Sequence, residues 1–268
     1  YISFLSNLLN VLFSSLAIFI FHMGIVGVAL GTILARLVGV LILWKELSLP
    51  LASWSWKLDW ELLRLSLPAA GERLMMRAGD VVIIAIIVKF GTDAVAGNAI
   101  GEVLTQFNYM PGFGVATATV MLVAHAVGQV DFQTVRKLTK QTYWLSLGLM
   151  LAVALLIFAL GQPLTHLYTK DSGAVTASLS VILFSLLGVP MTAGTVIYTA
   201  VWQGLGNAKL PFYATTVGMW LIRIVAGYLL GVTFGLGLPG VWAGTLLDNG
   251  FRWLFLKVLF DRKMRKIT

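Results

Sequence analysis

Four carboxylates stand inside long apolar stretches of this 268-residue chain: Glu72, Asp80, Glu102 and Asp248. Five arginines, Arg36, Arg73, Arg77, Arg223 and Arg252, share those stretches. An ionisable side chain at membrane depth costs about 2.5–3.5 kcal/mol on insertion scales, so each one calls for a partner or a task. Spacing sorts them. Asp248 and Arg252 are four apart and Arg77 and Asp80 three apart, separations at which helical side chains meet, so each pair can neutralise itself within one helix. Glu72 has Pro68, Ala69, Met75 and Met76 one turn away, and Glu102 has Asn98, Ala99, Thr105 and Gln106. Neither finds a cation there. Such a carboxylate is suited to exchanging a proton or binding a cation; the competing reading is a partner on another helix or, for Glu72, its neighbour Arg73.

Uncharged polar residues extend the pattern. Asn98, Glu102, Gln106 and Tyr109 recur at helical spacing, and Thr192, Thr195, Thr199 and Trp202 form a second stripe with Tyr198 beside it. Lipid cannot satisfy these groups, so they face water or protein, as a cavity lining or as small-polar packing between helices. Met75, Met76 and Tyr109 suit a pocket for aromatic cations, because a thioether adapts its shape and a ring face attracts positive charge. Filling the core is the commoner role of methionine. His22, His125 and His166 are far apart, and there is no HExxH motif or Gly-Lys phosphate loop. No cofactor or metal is therefore expected, and nothing supports an enzyme. Without cysteine, a disulfide framework and a thiolate metal site are excluded.

These residues must be carried by membrane helices. Hydrophobic residues make up 59% of the chain, charged residues 11%, and mean hydropathy is +0.90, so the bilayer is the expected solvent. Apolar runs long enough to cross about 30 Å of hydrocarbon fall at 1–21, 27–44, 66–89, 95–127, 139–160, 175–203, 210–231 and 239–258. Eight transmembrane helices are predicted, in an all-α polytopic protein. Helix-ending residues separate them, including Pro50, Gly91, Gly128, Gly161-Gln162-Pro163 and Gly204 to Pro211. Pro111 stands inside the longest run and predicts a bend or hinge there.

Basic residues predict the topology. Twelve lysines and arginines, among them Lys45, Lys57, Arg136, Lys140, Lys209 and Lys257, sit at one set of alternate helix ends, and only Lys89 and Lys170 at the other. This places the C-terminus in the cytoplasm of a multi-pass plasma (inner) membrane protein, and it assigns the net charge of +8 to topology and anionic lipid, not nucleic acid. The linker Trp54–Arg64 mixes tryptophans with charges and is read as a short helix lying among the headgroups.

One helix occurs twice. Gly24, Gly27, Val28, Gly31, Thr32 and Leu34 meet Gly237, Gly240, Val241, Gly244, Thr245 and Leu247 at an offset of 213 residues (Gly24 to Gly237). The expectation is two related halves. Residues 1–45 would be the last two helices of an N-terminal lobe, 46–65 a cytoplasmic or interfacial linker, 66–260 a six-helix C-terminal lobe and 261–268 a basic tail. On the same logic roughly 155 residues of the polypeptide would precede Tyr1 and supply the missing N-terminal helices. Both copies run the same way across the bilayer, which makes the lobes parallel repeats about an axis along the membrane normal.

The order of several motifs resembles the multidrug and toxic compound extrusion family of secondary transporters. Leu67-Pro68-Ala69-Ala70-Gly71-Glu72-Arg73 opens the second half; Met110-Pro111-Gly112-Phe113-Gly114-Val115-Ala116 and Val123-Ala124-His125-Ala126-Val127-Gly128-Gln129 follow in the Ala94–Gln129 helix. Gln203-Gly204-Leu205-Gly206-Asn207-Ala208-Lys209-Leu210-Pro211 and the repeated Gly-Val-x-x-Gly-Thr helix complete the likeness. The resemblance implies a twelve-helix, two-lobe antiporter with parallel pseudo-twofold repeats, exporting an organic cation or other toxic small molecule as H⁺ or Na⁺ enters. Family members often place a functional carboxylate in the helix that Glu72 occupies, so Glu72 is the first candidate for the coupling ion, with Asp80 and Glu102 behind it. Arg73, Met76, Asn98, Gln106, Tyr109, Thr195 and Tyr198 are the candidate substrate cavity. The 175–203 helix lacks the carboxylate that some sodium-coupled relatives carry, which favours H⁺.

Other readings stay open. A flippase for lipid-linked sugars of the same broad superfamily would use Arg73, Arg77 and Arg223 for pyrophosphate. A scaffold without transport predicts no solute flux.

Overall fold

The structure, a computed structural model, describes residues 2–47 and 60–267. The chain divides into two compact units, Tyr1–Leu58 and Asp59–Thr268. Most of the proposed interfacial helix, residues 54–59, lies outside the described residues.

Unit 1 is a hairpin of α1 (Ile2–Phe19) and α2 (Gly24–Leu47). The turn needs positive φ, at His22 and Gly24. A Cβ on Gly27 would come within 2.7 Å of Ala17 Cβ, and one on Gly31 within 2.9 Å of the Ser14 backbone nitrogen. These two glycines let the helices touch almost backbone to backbone. Ser6 Oγ then donates to the Ala35 carbonyl at 3.1 Å, and Asn10 Nδ2 to Thr32 Oγ1 at 2.9 Å.

Unit 2 begins with α3 (Trp60–Ile87), so residues 60–65, assigned to the linker from sequence, are the first turns of that helix. α4 (Thr92–Gly128) follows and continues unbroken through Pro111. Asp131 caps α5 (Phe132–Ala159), accepting from the Thr134 amide at 2.9 Å. Hydrogen bonds from Thr134, side chain first and backbone second, hold the Asp131 carboxyl below its ordinary range. Gly161-Gln162-Pro163 reads as a connector in sequence, yet it opens the short helix α6 (Gly161–His166), since a proline in the first turn forfeits no internal bond.

α7 (Ser172–Gly204) is the axis of the unit, packed by α4, α5 and α10 (Gly237–Ile267). Small residues allow it: a Cβ at Gly101 of α4 would stand 2.6 Å from Val181, and one at Gly97 would overlap Ala177. The remaining span, Lys209–Thr233, alternates α8 (Lys209–Val217) and α9 (Ile224–Tyr228) with two π-helical segments, Gly218–Arg223 and Leu229–Thr233. Its glycines meet those of α10: a Cβ on Gly244 would lie 2.7 Å from the Gly227 nitrogen, and one on Gly240 2.6 Å from that of Gly231.

Large apolar side chains cover the outside, among them Leu145, Leu149 and Leu156 of α5, so this is an all-α membrane protein. Among the described residues, five helices are long and apolar enough to cross a bilayer: Gly24–Glu46, Thr92–Gly128, Phe132–Ala159, Ser172–Gly204 and Lys209–Thr233. α1, α3 and α10, read as spans from the sequence, fall outside that set. The apolar stretch of α1 is short, whereas α3 and α10 carry the charges that form the site. α10 continues through 261–267, so the basic tail is helical where it is described.

Candidate functional site

Asp248 on α10 is fully buried and is the anchor of a charged network. Its Oδ2 accepts a hydrogen bond from Arg252 Nη2 at 2.9 Å, and Arg252 Nε lies 2.8 Å from its Oδ1 as an ion-pair contact. The same Oδ2 lies 3.2 Å from Nε of Arg223. The other end of Arg223 reaches Asp80 Oδ1 of α3 at 3.6 Å, and Arg77 reaches Asp80 Oδ2 at 3.6 Å. Both same-helix pairs expected from spacing therefore exist, but Arg223 joins them into one chain of charges.

The wide π turn ends at Arg223 and aims it between α3 and α10; such turns are rare and concentrate at functional positions. Gly218, at the start of that turn, has no room for a Cβ against Asp248. Arg252 completes its bonds with Asn249 Oδ1 at 3.0 Å and Met76 Sδ at 3.5 Å.

Glu72 and Glu102 are held differently. Thr215 Oγ1 of α8 donates to Glu72 Oε1 at 3.1 Å. Asn98 Nδ2 donates to Glu102 Oε1 at 3.1 Å, and Trp242 Nε1 of α10 donates to Asn98 Oδ1 at 3.0 Å. Among the described residues neither glutamate forms an ion pair. Arg73, the cation next to Glu72, is exposed, as neighbours on a helix point to different sides. Glu72 is nonetheless within electrostatic reach of Arg252, and Glu102 of Asp80 and Arg223, so all four acids share one field.

The remaining candidates separate. Met76 touches the network through Arg252, and Asn98 through Glu102. Tyr109 meets Ser185 Oγ at 3.2 Å, beside Asn108, whose Nδ2 donates to the same oxygen at 3.1 Å. Gln106 is exposed, and Pro111 is half-buried in a continuous helix. Thr195 bonds the Asn249 carbonyl at 2.9 Å and Trp202 the Leu256 carbonyl at 3.1 Å, so this stripe joins α7 to α10. Tyr198 packs edge-on to Phe260, at the opposite end of α10 from Trp242.

Thr215, Trp242, Ser185 and Asn249 escaped the sequence reading. Thr215 and Trp242 lie 143 and 144 residues from their partners, and no periodicity couples helices so distant. For α4 a signal existed: Gly97, Gly101, Thr105, Asn108 and Gly112 are buried at helical spacing and mark its packed face.

Comparison with known proteins gives a consistent result. The sequence profile of MatE matches residues 68–229. The probable multidrug resistance protein NorM of Thermotoga maritima is 30% identical over 269 residues, covering 96% of this chain and 58% of that protein. A crystal structure of MATE in the straight conformation superposes with a TM-score of 0.89 at 20% identity, covering 98% of this chain and 61% of the other. The MATE transporter ClbM in complex with Rb⁺ superposes with a TM-score of 0.80 at 22% identity, over 99% of this chain and 61% of its own. The chain thus spans about three fifths of the length of these relatives.

Proposed function

The chain belongs to the MatE family, and from that premise we propose that it serves a secondary active antiporter, exporting organic cations or other toxic small molecules in exchange for H⁺ or Na⁺. The observation that carries this reading is the imbalance of the network. Asp248 and Asp80 are matched by Arg223, Arg252 and Arg77, whereas Glu72 and Glu102 hold only neutral donors. A proton or small cation arriving at either glutamate meets a negative charge with no arginine to displace. Glu72 is the coupling residue, with Glu102 and Asp80 sharing its field. Protonation of Glu72 weakens the hold on a cationic substrate. Because an ion drives a cycle only by binding two conformations unequally, the glutamate must be exposed differently in each. The ClbM–Rb⁺ complex supports a monovalent cation as ligand in a protein of this fold.

In the plasma membrane, the basic ends of the helices and the C-terminus face the cytoplasm on this reading. The rival flippase would need several arginines for pyrophosphate; of its three, Arg223 and Arg77 are engaged with carboxylates, which leaves the exposed Arg73.

Glu72→Gln keeps an acceptor for Thr215 and removes the charge. In proteoliposomes with an imposed proton or sodium gradient, ethidium export by this variant is expected to fall at least tenfold, with insertion and expression unchanged. Export at the parental rate would remove Glu72 from the mechanism.

A further inference from the structure

Where α5 begins and α10 finishes, both helices pack on α7 and leave a cavity of about 530 Å³. Helical spacing turns one stripe of each helix into it: Arg136, Lys140 and Tyr143 from α5, and Trp253, Lys257 and Arg265 from α10. Four cations face a single carboxylate, Asp261. Beneath them the floor is aromatic. Tyr143 and Trp253 stack with centroids 5.7 Å apart, Lys257 Nζ sits 5.9 Å over the Trp253 ring, and Tyr198 meets Phe260 edge-on at 5.8 Å.

Depth adds to the argument. The 28 residues of α5 span about 42 Å at about 1.5 Å each, against about 30 Å of hydrocarbon. The surplus of about 12 Å, about eight residues, falls at this end, because every charge of α5 lies within Arg136–Lys140 and the rest of the helix is free of charge. Arg136 and Lys140 then stand at headgroup level, and Tyr143 and Trp144 just beneath, where amphipathic rings are suited. Trp144 is 59% exposed and offers its ring to an acyl chain at the cavity rim.

We propose that this cavity binds the phosphate headgroup of an anionic phospholipid, its glycerol and upper chain lying along the aromatic floor. A zwitterionic headgroup would bring a cation of its own against the four already there, so the geometry selects net negative lipid. None of the acids proposed for ion coupling lines the cavity; of the candidate substrate-cavity residues only Tyr198 does, and the test below reads lipid binding, so its outcome is separate from that of the transport reading.

The test is native mass spectrometry of the detergent-purified protein, titrated with phosphatidylglycerol, phosphatidylcholine or inorganic phosphate. Phosphatidylglycerol is expected to bind in preference to phosphatidylcholine, and the double variant Lys140→Gln/Lys257→Gln to lose roughly tenfold or more in affinity. Arg136→Gln, at an exposed rim position, should lose less in the same direction, which keeps the test available if the double variant fails to fold. Arg262→Gln/Lys266→Gln, outside the cavity on the same helix, should bind as the parent does. Three results would overturn the proposal: equal binding by the cavity variants, an equal loss in the control variant, or displacement of the lipid by millimolar inorganic phosphate. The last would assign the cavity to a free anion.

Discussion

α2 and α10 are copies of one helix put to different uses. Both present glycines to a neighbour at the same places: Gly27 and Gly31 against α1, Gly240 and Gly244 against Gly231 and Gly227. Both carry a threonine that bonds back to the valine carbonyl four residues earlier, Thr32 to Val28 and Thr245 to Val241. At the same offset of 213 residues, however, Trp242, Asp248 and Arg252 of α10 stand where α2 has Ala29, Ala35 and Gly39. In one copy the group at this position that accepts from Ser6 is only the backbone carbonyl of Ala35; in the other copy the position holds Asp248, the anchor of the charged network. The repeat therefore preserves how the helix packs and leaves open what it does.

The sharpest way to break this comparison is to give α10 the residue of its copy. Asp248→Ala strands Arg223 and Arg252 without their shared carboxylate and is expected to destabilise the protein by about 3–5 kcal/mol, read from thermal unfolding in detergent. A loss below about 1 kcal/mol would mean that the network does not depend on its buried acid. Next in size are the glycines. Gly31→Val and Gly244→Val each push a side chain into backbone that cannot retreat, at about 1–3 kcal/mol apiece. Matching losses sharpen the comparison, while a loss at only one site would show that the copies pack by different means.

Trp242→Phe retains the ring and removes the donor to Asn98, with an expected loss of about 1 kcal/mol. It also frees the amide that holds Glu102, so the pH dependence of export should move with it, which a purely packing role for Trp242 would not produce. The smallest effect separates the two threonines. Thr32→Val removes a hydroxyl that also accepts from Asn10 and should destabilise by about 1 kcal/mol. Thr245→Val removes only a 3.5 Å contact and should change the unfolding temperature little.

Much of the fold was legible because a bilayer asks one simple question of a sequence, the length of its apolar runs. The runs at 95–127 and 175–203 fall inside α4 and α7 with their ends within a few residues. The ends of α3 and α10 were missed because charge interrupts the run while the backbone ladder continues. In the site, Asp248–Arg252 was readable because both partners lie on one turn. Arg223 was visible as a charge but not as a bridge, since its two carboxylates belong to other helices. Glu72 stands out in the sequence by what it lacks, and Thr215, the group it has, left no trace in any local pattern.

The two π turns in the Lys209–Thr233 span have a consequence of their own. Each stores a little surplus chain in a helix whose length the bilayer fixes. Drawing one residue out of the Gly218–Arg223 turn would leave the helix intact but rotate whatever follows by about 100°. Arg223 sits at that edge, so the direction in which it leaves the helix is set by the extra residue of the turn and not by its place in the sequence alone.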